Sequence, residues 1–283
     1  MGRAQSPSVS AARLHASVQF DSHGVFVYRY TVENGAGSTE GVWKITIDIS
    51  LPSGASKPSA AGLVPGPGYV AESSARGSNV MTRDVVPVAL SAPQPGWQTT
   101  IGTDGTARWV AIKDASLIFP KQRLAGFSIA SHGPPSLRRF SLGPHIDANR
   151  APIMTPGDDP GDVDRYLQDL DRYMNSQTVV GITLAPAAPV TTTTDALLAS
   201  LANQVVQARS LGWISNDGVM RSLSAKLEAA RTAISRRRFE TTRNVLLALR
   251  DEVAAQSGKN LTSEAVALVD VNIQYALQLA ATP

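Results

Sequence analysis

The chain has 283 residues, no cysteine and a formal net charge of +3, which excludes a disulfide framework, a thiolate metal site and a cysteine nucleophile. Its length suits two domains, 43% hydrophobic residues suffice for a sizeable core, and a low charged fraction with 22 Gly and 18 Pro points to many turns. Residues 1–150 carry 14 basic and 9 acidic side chains, 151–190 carry 2 and 6, and 191–283 carry 10 and 8, so no segment is a strongly basic domain and nucleic acid is not an expected partner.

Residues 1–15 are small and polar. They lack the apolar core of a signal peptide and read as a leader, expected to be a mature N-terminus or a start just inside a cleavage site. No apolar run approaches the length of a membrane span. From Ala16 the pattern changes. Ala16 to Phe20 alternates, and Phe26, Tyr28, Tyr30 and Val32 alternate again with Val27, Arg29 and Thr31 between them, the period-two signal of half-buried strands. After Asn34-Gly35-Ala36-Gly37, Trp43, Ile45, Ile47 and Ile49 share one face of a third strand, in a phase that puts Trp43 in the core. Leu51 to Gly68 has no periodicity and reads as a loop.

Strand signals resume at Val80 to Leu90. Trp97 to Ile101 and Ala107 to Ile112 then flank Thr103-Asp104-Gly105-Thr106, where Asp-Gly suits a tight turn. Leu117 to Pro120, Leu124 to Ala130 and Arg138 to Leu142 continue the series. Short strands between Gly- and Pro-rich turns indicate a β-sandwich, loosely similar to the immunoglobulin-like domains of secreted bacterial proteins. Val163, Tyr166, Leu167, Leu170, Tyr173 and Met174 trace one face of a helix over 162–175, inserted before a last strand at Val179 to Leu184. Residues 185–194, rich in Pro and Thr, read as a linker.

The remaining segment, 195–283, carries four apolar stripes at helical spacing: Leu197, Leu198, Leu201 and Val205; Val219, Leu223, Leu227, Ala230 and Ile234; Val245, Leu246, Leu249 and Val253; Val266, Val269, Ile273 and Leu277. Ser215, Asn216 and Asp217 suit the start of the second, and Gly258 the end of the third. Short connections make the four an antiparallel bundle. The run Leu211-Gly212-Trp213-Ile214-Ser215-Asn216, with Lys226-Leu227-Glu228-Ala229-Ala230, Asn244-Val245-Leu246, Glu252 to Lys259, Asn272 and Tyr275, resembles the FIMAH-type helical module. That resemblance implies a secreted or surface-attached bacterial protein and an accessory module without catalytic residues of its own. The fold class expected is therefore α+β in several domains: an N-terminal antiparallel β-sandwich over 16–184 with one inserted helix, the 185–194 linker, and a C-terminal four-helix bundle.

Candidates for chemistry are sparse. His145-Ile146-Asp147 sets two ligand types side by side, with His132 a third, but no spacing matches a zinc motif. Asp158, Asp159, Asp162 and Asp164 offer hard oxygens for calcium, yet lack the EF-hand order and its closing Glu, and acidic residues already suit a helix N-terminus. Gly126-Phe127-Ser128-Ile129-Ala130 comes within one residue of a nucleophile elbow, but Ser128 alternates with Phe127 and Ile129 as in a plain strand. Neither a metal nor a cofactor is expected. Trp97 and Trp109 are the aromatics available to stack on a sugar, weighed against packing as cross-strand neighbours. Arg236, Arg237 and Arg238 form a positive patch able to meet an anionic polymer, weighed against a solvated helix end. Trp213 is expected to close one end of the bundle. The sequence thus points to a non-enzymatic binding or structural protein at the bacterial surface, with a surface glycan or another surface protein as partner. A secreted hydrolase with its site in the strand loops, or a carbohydrate-binding protein, is the alternative.

Overall fold

The computed structural model describes residues 8–21, 23–51, 63, 85–93, 95–146, 160–187 and 193–281. It is an α+β protein with two antiparallel sheets and five α-helices among these residues. The strands are β1 (Ala12–Phe20), β2 (Phe26–Asn34), β3 (Val42–Asp48), β4 (Ala89–Ser91), β5 (Trp97–Ile101), β6 (Thr106–Ala111), β7 (Gln122–Ser131), β8 (Pro135–Pro144) and β9 (Val179–Pro186). One sheet has the order β1-β2-β7-β4, the other β5-β6-β3-β8-β9.

Alternation decides which face each strand buries. Phe26, Tyr28, Tyr30 and Val32 of β2 point inward with no exposed surface, while Arg29 and Glu33 point to water. On the other sheet Ile45, Ile47, Ala107, Trp109 and Leu142 supply the facing layer. The two layers meet edge to face, Tyr30 on Trp109 at 6.0 Å and Phe127 on Trp97 at 4.9 Å between ring centroids, an arrangement that aligns ring edges with π-faces. Buried phenols need acceptors, and they find them across the core. Tyr30 Oη donates to the Leu184 carbonyl at 2.9 Å and Tyr28 Oη to that of Gly133 at 2.7 Å. Burial pushes both phenols well above the ordinary tyrosine range, so both stay neutral donors.

Three boundaries differ from the sequence reading. β1 begins at Ala12, four residues before the expected Ala16 and inside the supposed leader, because Val9 and Ala12 are buried and the Ser8 carbonyl accepts from Thr39 N–H at 2.8 Å. Ala185 and Pro186 belong to β9, opposite Ser136 and Pro135, instead of opening a linker. Leu117 to Pro120 forms no strand, touching β3 through one bridge, Val42 to Ile118. Trp43 departs from its expected phase as well. A bulge between Val42 and Lys44 in the β3–β8 register gives the buried place to Val42 and leaves Trp43 half-buried.

The helices are α1 (Pro160–Gln177), inserted before β9 as expected, then α2 (Thr194–Ser210), α3 (Asp217–Ser235), α4 (Phe239–Gln256) and α5 (Ser263–Ala281). Caps explain most of the starts. Thr193 Oγ1 accepts from Ala196 N–H at 3.4 Å, and Asn216 Oδ1 from Gly218 and Val219 N–H at 2.7 and 3.2 Å. α2 packs on α3, α3 on α4, α4 on α5 and α5 back on α2, so the four stripes share one interior: Leu201, Val205, Leu223, Leu227, Leu246, Leu249 and Ile273 are all buried. At the α2–α3 turn it is Ile214, fully buried, that closes this interior; Trp213 lies half-buried beside it, anchored through its backbone to Ala208 and Thr262.

α5 does double duty. Its opposite side lies along β1, β8 and β9. Tyr275 sits edge-on to Phe26 at 5.2 Å and to Phe20 at 5.6 Å, and these two phenylalanines stack at 4.5 Å. Asn272, 1% exposed, donates from Nδ2 to the Pro135 carbonyl at 3.0 Å and to that of Leu268 at 2.7 Å. Leu137 N–H donates to Gln204 Oε1 of α2 at 3.1 Å.

Candidate functional site

The junction that α5 makes with the β1–β2 hairpin leaves a groove of about 740 Å³, within the range of small-ligand sites, which favour seams between structural units. Its apolar lining is Val18, Phe20 and Val27 from the hairpin and Val266, Ala267 and Val271 from α5. The register puts Gln19 and Arg29 on the same sheet face as Val27, the face opposite to that of Val18 and Phe20. Arg29 Nη1 donates to Gln19 Oε1 at 2.5 Å, and no carboxylate pairs with it among the described residues.

The rim on the α5 side is a connected polar set. Arg250 Nε donates to Asp270 Oδ1 at 2.6 Å and Gln274 Nε2 to Asp270 Oδ2 at 2.6 Å, so both carboxylate oxygens are occupied and the charge is balanced. Ser257 and Ser263 continue the rim toward the turn before α5. At the hairpin end, Asp21 Oδ1 accepts from Val25 N–H at 2.9 Å and His23 N–H at 2.8 Å. Those backbone bonds, Val25 first, hold its carboxyl below the usual range. Apolar lining beside a guanidinium and amide or carboxylate groups suits an elongated, uncharged or zwitterionic ligand, held by van der Waals contact and oriented by hydrogen bonds.

Two smaller cavities lie on the strands. One of about 370 Å³ is lined by Trp43, Ile112, Asp114, His145 and Met174. There His145 Nε2 stands 3.7 Å from Asp114 Oδ1. The other, about 440 Å³, lies beside Trp97, Ser116, Leu117 and Arg123.

The sequence candidates disperse. Asp147, Asp158 and Asp159 lie outside the described residues. His145 pairs with Asp114, while His132 Nδ1 lies 3.1 Å from the Gly24 carbonyl. Asp162 pairs with Arg165 at 3.3 Å on α1, and Asp164 is exposed. Among the described residues no three His, Asp or Glu side chains gather as a metal site. Ser128 lies within β7, opposite Arg29 and Ser91, with none of the strand-to-helix turn an elbow requires.

Trp97 and Trp109, the stacking candidates, are 3% and 0% exposed, so neither face is open to a sugar. They are diagonal neighbours, Trp97 opposite Ala111 and Trp109 opposite Thr99. Trp109 Nε1 donates to the Ser91 carbonyl at 2.7 Å, whereas Trp97 Nε1 is buried with no partner among the described residues. Arg236, Arg237 and Arg238 are exposed at the α3–α4 turn. The groove escaped sequence reasoning because its two walls lie more than 200 residues apart in the chain and neither carries a motif.

No helix among the described residues is long and apolar enough to cross a membrane. No family model matches the chain, and no curated protein matches it. Among solved structures the chain is similar to an uncharacterized protein from Nocardia farcinica, whose crystal structure is described as revealing an immunoglobulin-like fold. The match has 14% sequence identity and a TM-score of 0.26, and covers 53% of this chain and 90% of that one.

Proposed function

We propose that this is a non-enzymatic binding protein of the bacterial cell surface, and that its ligand, a surface glycan or an extended segment of another surface protein, lies in the groove between the β1–β2 hairpin and α5. In this reading the two sheets form an immunoglobulin-like β-sandwich and α2 to α5 a four-helix bundle of FIMAH type. The surface setting rests on the resemblance of residues 211–275 to that module. The observation that carries the binding role is the groove itself: about 740 Å³ with apolar lining from both walls, an Arg29 side chain that pairs with no carboxylate among the described residues on the hairpin side and a balanced Asp270 set on α5.

The test is a thermal-shift and calorimetric screen of the full chain against neutral glycans and extended peptides, because a ligand of the native state raises Tm by mass action. Ala267→Trp, which fills the groove from α5, is expected to abolish the shift without lowering Tm. Arg29→Ala is expected to weaken binding about tenfold, the loss of one charge-assisted hydrogen bond. A ligand whose affinity survives Ala267→Trp binds elsewhere and overturns the assignment.

A further inference from the structure

The three turns that join α2 to α5 solve the same geometric problem with different residues. Each helix end needs one residue at positive φ to reverse the chain. Gly212 at φ +76° and Gly258 at φ +69° supply it after α2 and α4, but after α3 the position is held by Arg237 at φ +54°. There Arg237 N–H donates to Ile234 O at 2.8 Å and Arg238 N–H to Ala233 O at 2.9 Å, the closure that glycine favours. The next residue breaks a second rule. α2, α3 and α5 start with a side-chain oxygen accepting from a first-turn N–H, from Thr193, Asn216 and Thr262, whereas Arg238 precedes α4 with no such bond. The residue after that breaks a third. Phe239, the first of α4, is 60% exposed.

Charge is concentrated at the same point. Elsewhere in these helices most cations are matched, Arg209 with Asp217, Lys226 with Glu252, Arg231 with Asp195 and Glu228, Arg250 with Asp270, and Arg221 of α3 stands exposed and alone among the described residues. Arg236, Arg237, Arg238 and Arg243 are exposed and make no ion pair among the described residues. Glu240 is the one carboxylate in 236–243, so the segment carries four positive charges and one negative, a net +3. Departures from local preference that coincide in three consecutive residues mark a place selected for something other than stability.

We propose that this tip docks onto the surface of an anionic phospholipid bilayer, with Phe239 entering the interfacial layer and the four arginines meeting lipid phosphates. The shape selects the partner. The tip is the projecting end of two helices, and none of the cavities described above is lined by it, so it encloses no small ligand and presents a point with an apolar centre to a flat partner. Guanidinium forks match phosphate oxygens two at a time, and an aromatic ring beside basic residues suits the headgroup boundary. Such contact is reversible, since a few charges and one ring fall short of permanent anchoring.

The experiment is co-sedimentation of the full chain with vesicles of equal parts phosphatidylcholine and phosphatidylglycerol, against phosphatidylcholine alone, at low and high salt. Binding is expected to anionic vesicles only and to fall with salt. Replacing Arg237→Gly and Arg238→Ser together is expected to lower the partition coefficient about 25-fold, roughly fivefold per charge, while raising Tm, because both changes restore what the turn and the helix start prefer. A purely structural role for these arginines would move Tm without moving partition. Phe239→Ser is expected to lower partition about tenfold. Equal binding to neutral vesicles, absence of binding to either, or partition unchanged in Phe239→Ser overturns the proposal. So does tighter binding to soluble duplex DNA or dextran sulfate that Phe239→Ser leaves intact, which would assign the tip to a polyanion in solution.

Discussion

Asn272 is where α5 is tied to the strands, and removing its amide is the sharpest test of whether the helices and the sheets act as one body. In Asn272→Ala the Pro135 carbonyl loses the 3.0 Å donor that reaches it across the seam, in a place where the side chain is only 1% exposed to water. An unsatisfied buried acceptor costs about 1–3 kcal/mol. The Leu268 carbonyl lies one helical turn back on the same helix and is expected to keep its intrahelical bond. Tyr275→Ala acts at the same seam by another route: two edge-to-face contacts, to Phe26 and Phe20, are each worth about 0.5–1.5 kcal/mol beyond area, and a half-buried ring adds about 1 kcal/mol of burial. With about 2–4 °C of Tm per kcal/mol at this size, Asn272→Ala is expected to melt about 2–12 °C early and Tyr275→Ala about 4–16 °C early. The two residues are three apart on one helix, so their effects should not add. Two signals separate the parts. Far-UV circular dichroism follows the helices, while fluorescence reports mainly on the strands, which hold Trp43, Trp97 and Trp109 or lie next to them. The wild type is expected to show coincident transitions, and the double variant a helical transition that precedes the fluorescent one. Separate transitions already in the wild type, or a double variant that melts unchanged, would refute the coupling.

Trp109→Phe should destabilise more than Trp97→Phe by about 1–2 kcal/mol in urea unfolding, since the first strands the Ser91 carbonyl and the second removes a buried N–H that has no partner among the described residues; equal losses would contradict this. Burial raises the Asp104 carboxyl, but bonds from Thr106 Oγ1 and Arg108 outweigh it and bring it below its ordinary value of 3.8. Its contribution is therefore complete above 3.8 and is lost as pH falls through that value and the lower folded one. Asp104→Asn should lower Tm at neutral pH and leave it unchanged in strong acid, and a gap that persists in acid would show a steric cause. Chelator should leave Tm unmoved, because His145 and Asp162 are engaged by Asp114 and Arg165; a fall restored by calcium would reveal a site.

Where local physics decides structure, the sequence was legible. The alternation of β1, β2, β5 and β6, the stripes of α2 to α5 and the cap of α3 appear where the sequence puts them, because each rests on contacts within a few residues or on one buried face. Trp43 was misplaced because a bulge is one residue of backbone with no compositional mark, and it reverses the phase of everything before it. Trp213 was exchanged with Ile214 for a related reason: at a turn the helical period has ended, and which neighbour points inward is set by the backbone bonds of Gly212 and Trp213 to the end of α2. The groove and the seam at Asn272 were illegible for a different reason. Their partners are distant in sequence, Val27 against Val271 and Pro135 against Asn272, and no pattern along one strand or helix encodes what it will face.

α1 and α5 show how far an apolar stripe can be trusted. Both are amphipathic and nearly equal in length, 18 and 19 residues. In α5 the stripe is buried against α2 and α4, and the flank beyond it, Asn272 and Tyr275, engages the strands. In α1 none of Val163, Tyr166, Leu167, Leu170, Tyr173 and Met174 is fully buried, and Leu167 is 54% exposed. That helix is held at its C-terminal turn, where Gln177 Oε1 accepts from Ser8 N–H at 3.0 Å and Met174 reaches the cavity beside Trp43 and His145. Its polar face is laced by Arg165 to Asp162 and Arg172 to Asp169, pairs that add only a few tenths of a kcal/mol each. Periodicity therefore specifies that a face exists and which residues form it. Whether the face is covered depends on the elements at either end: α5 follows a turn that returns it to α2 and α4, whereas α1 leads directly into β9, which fixes its last turn.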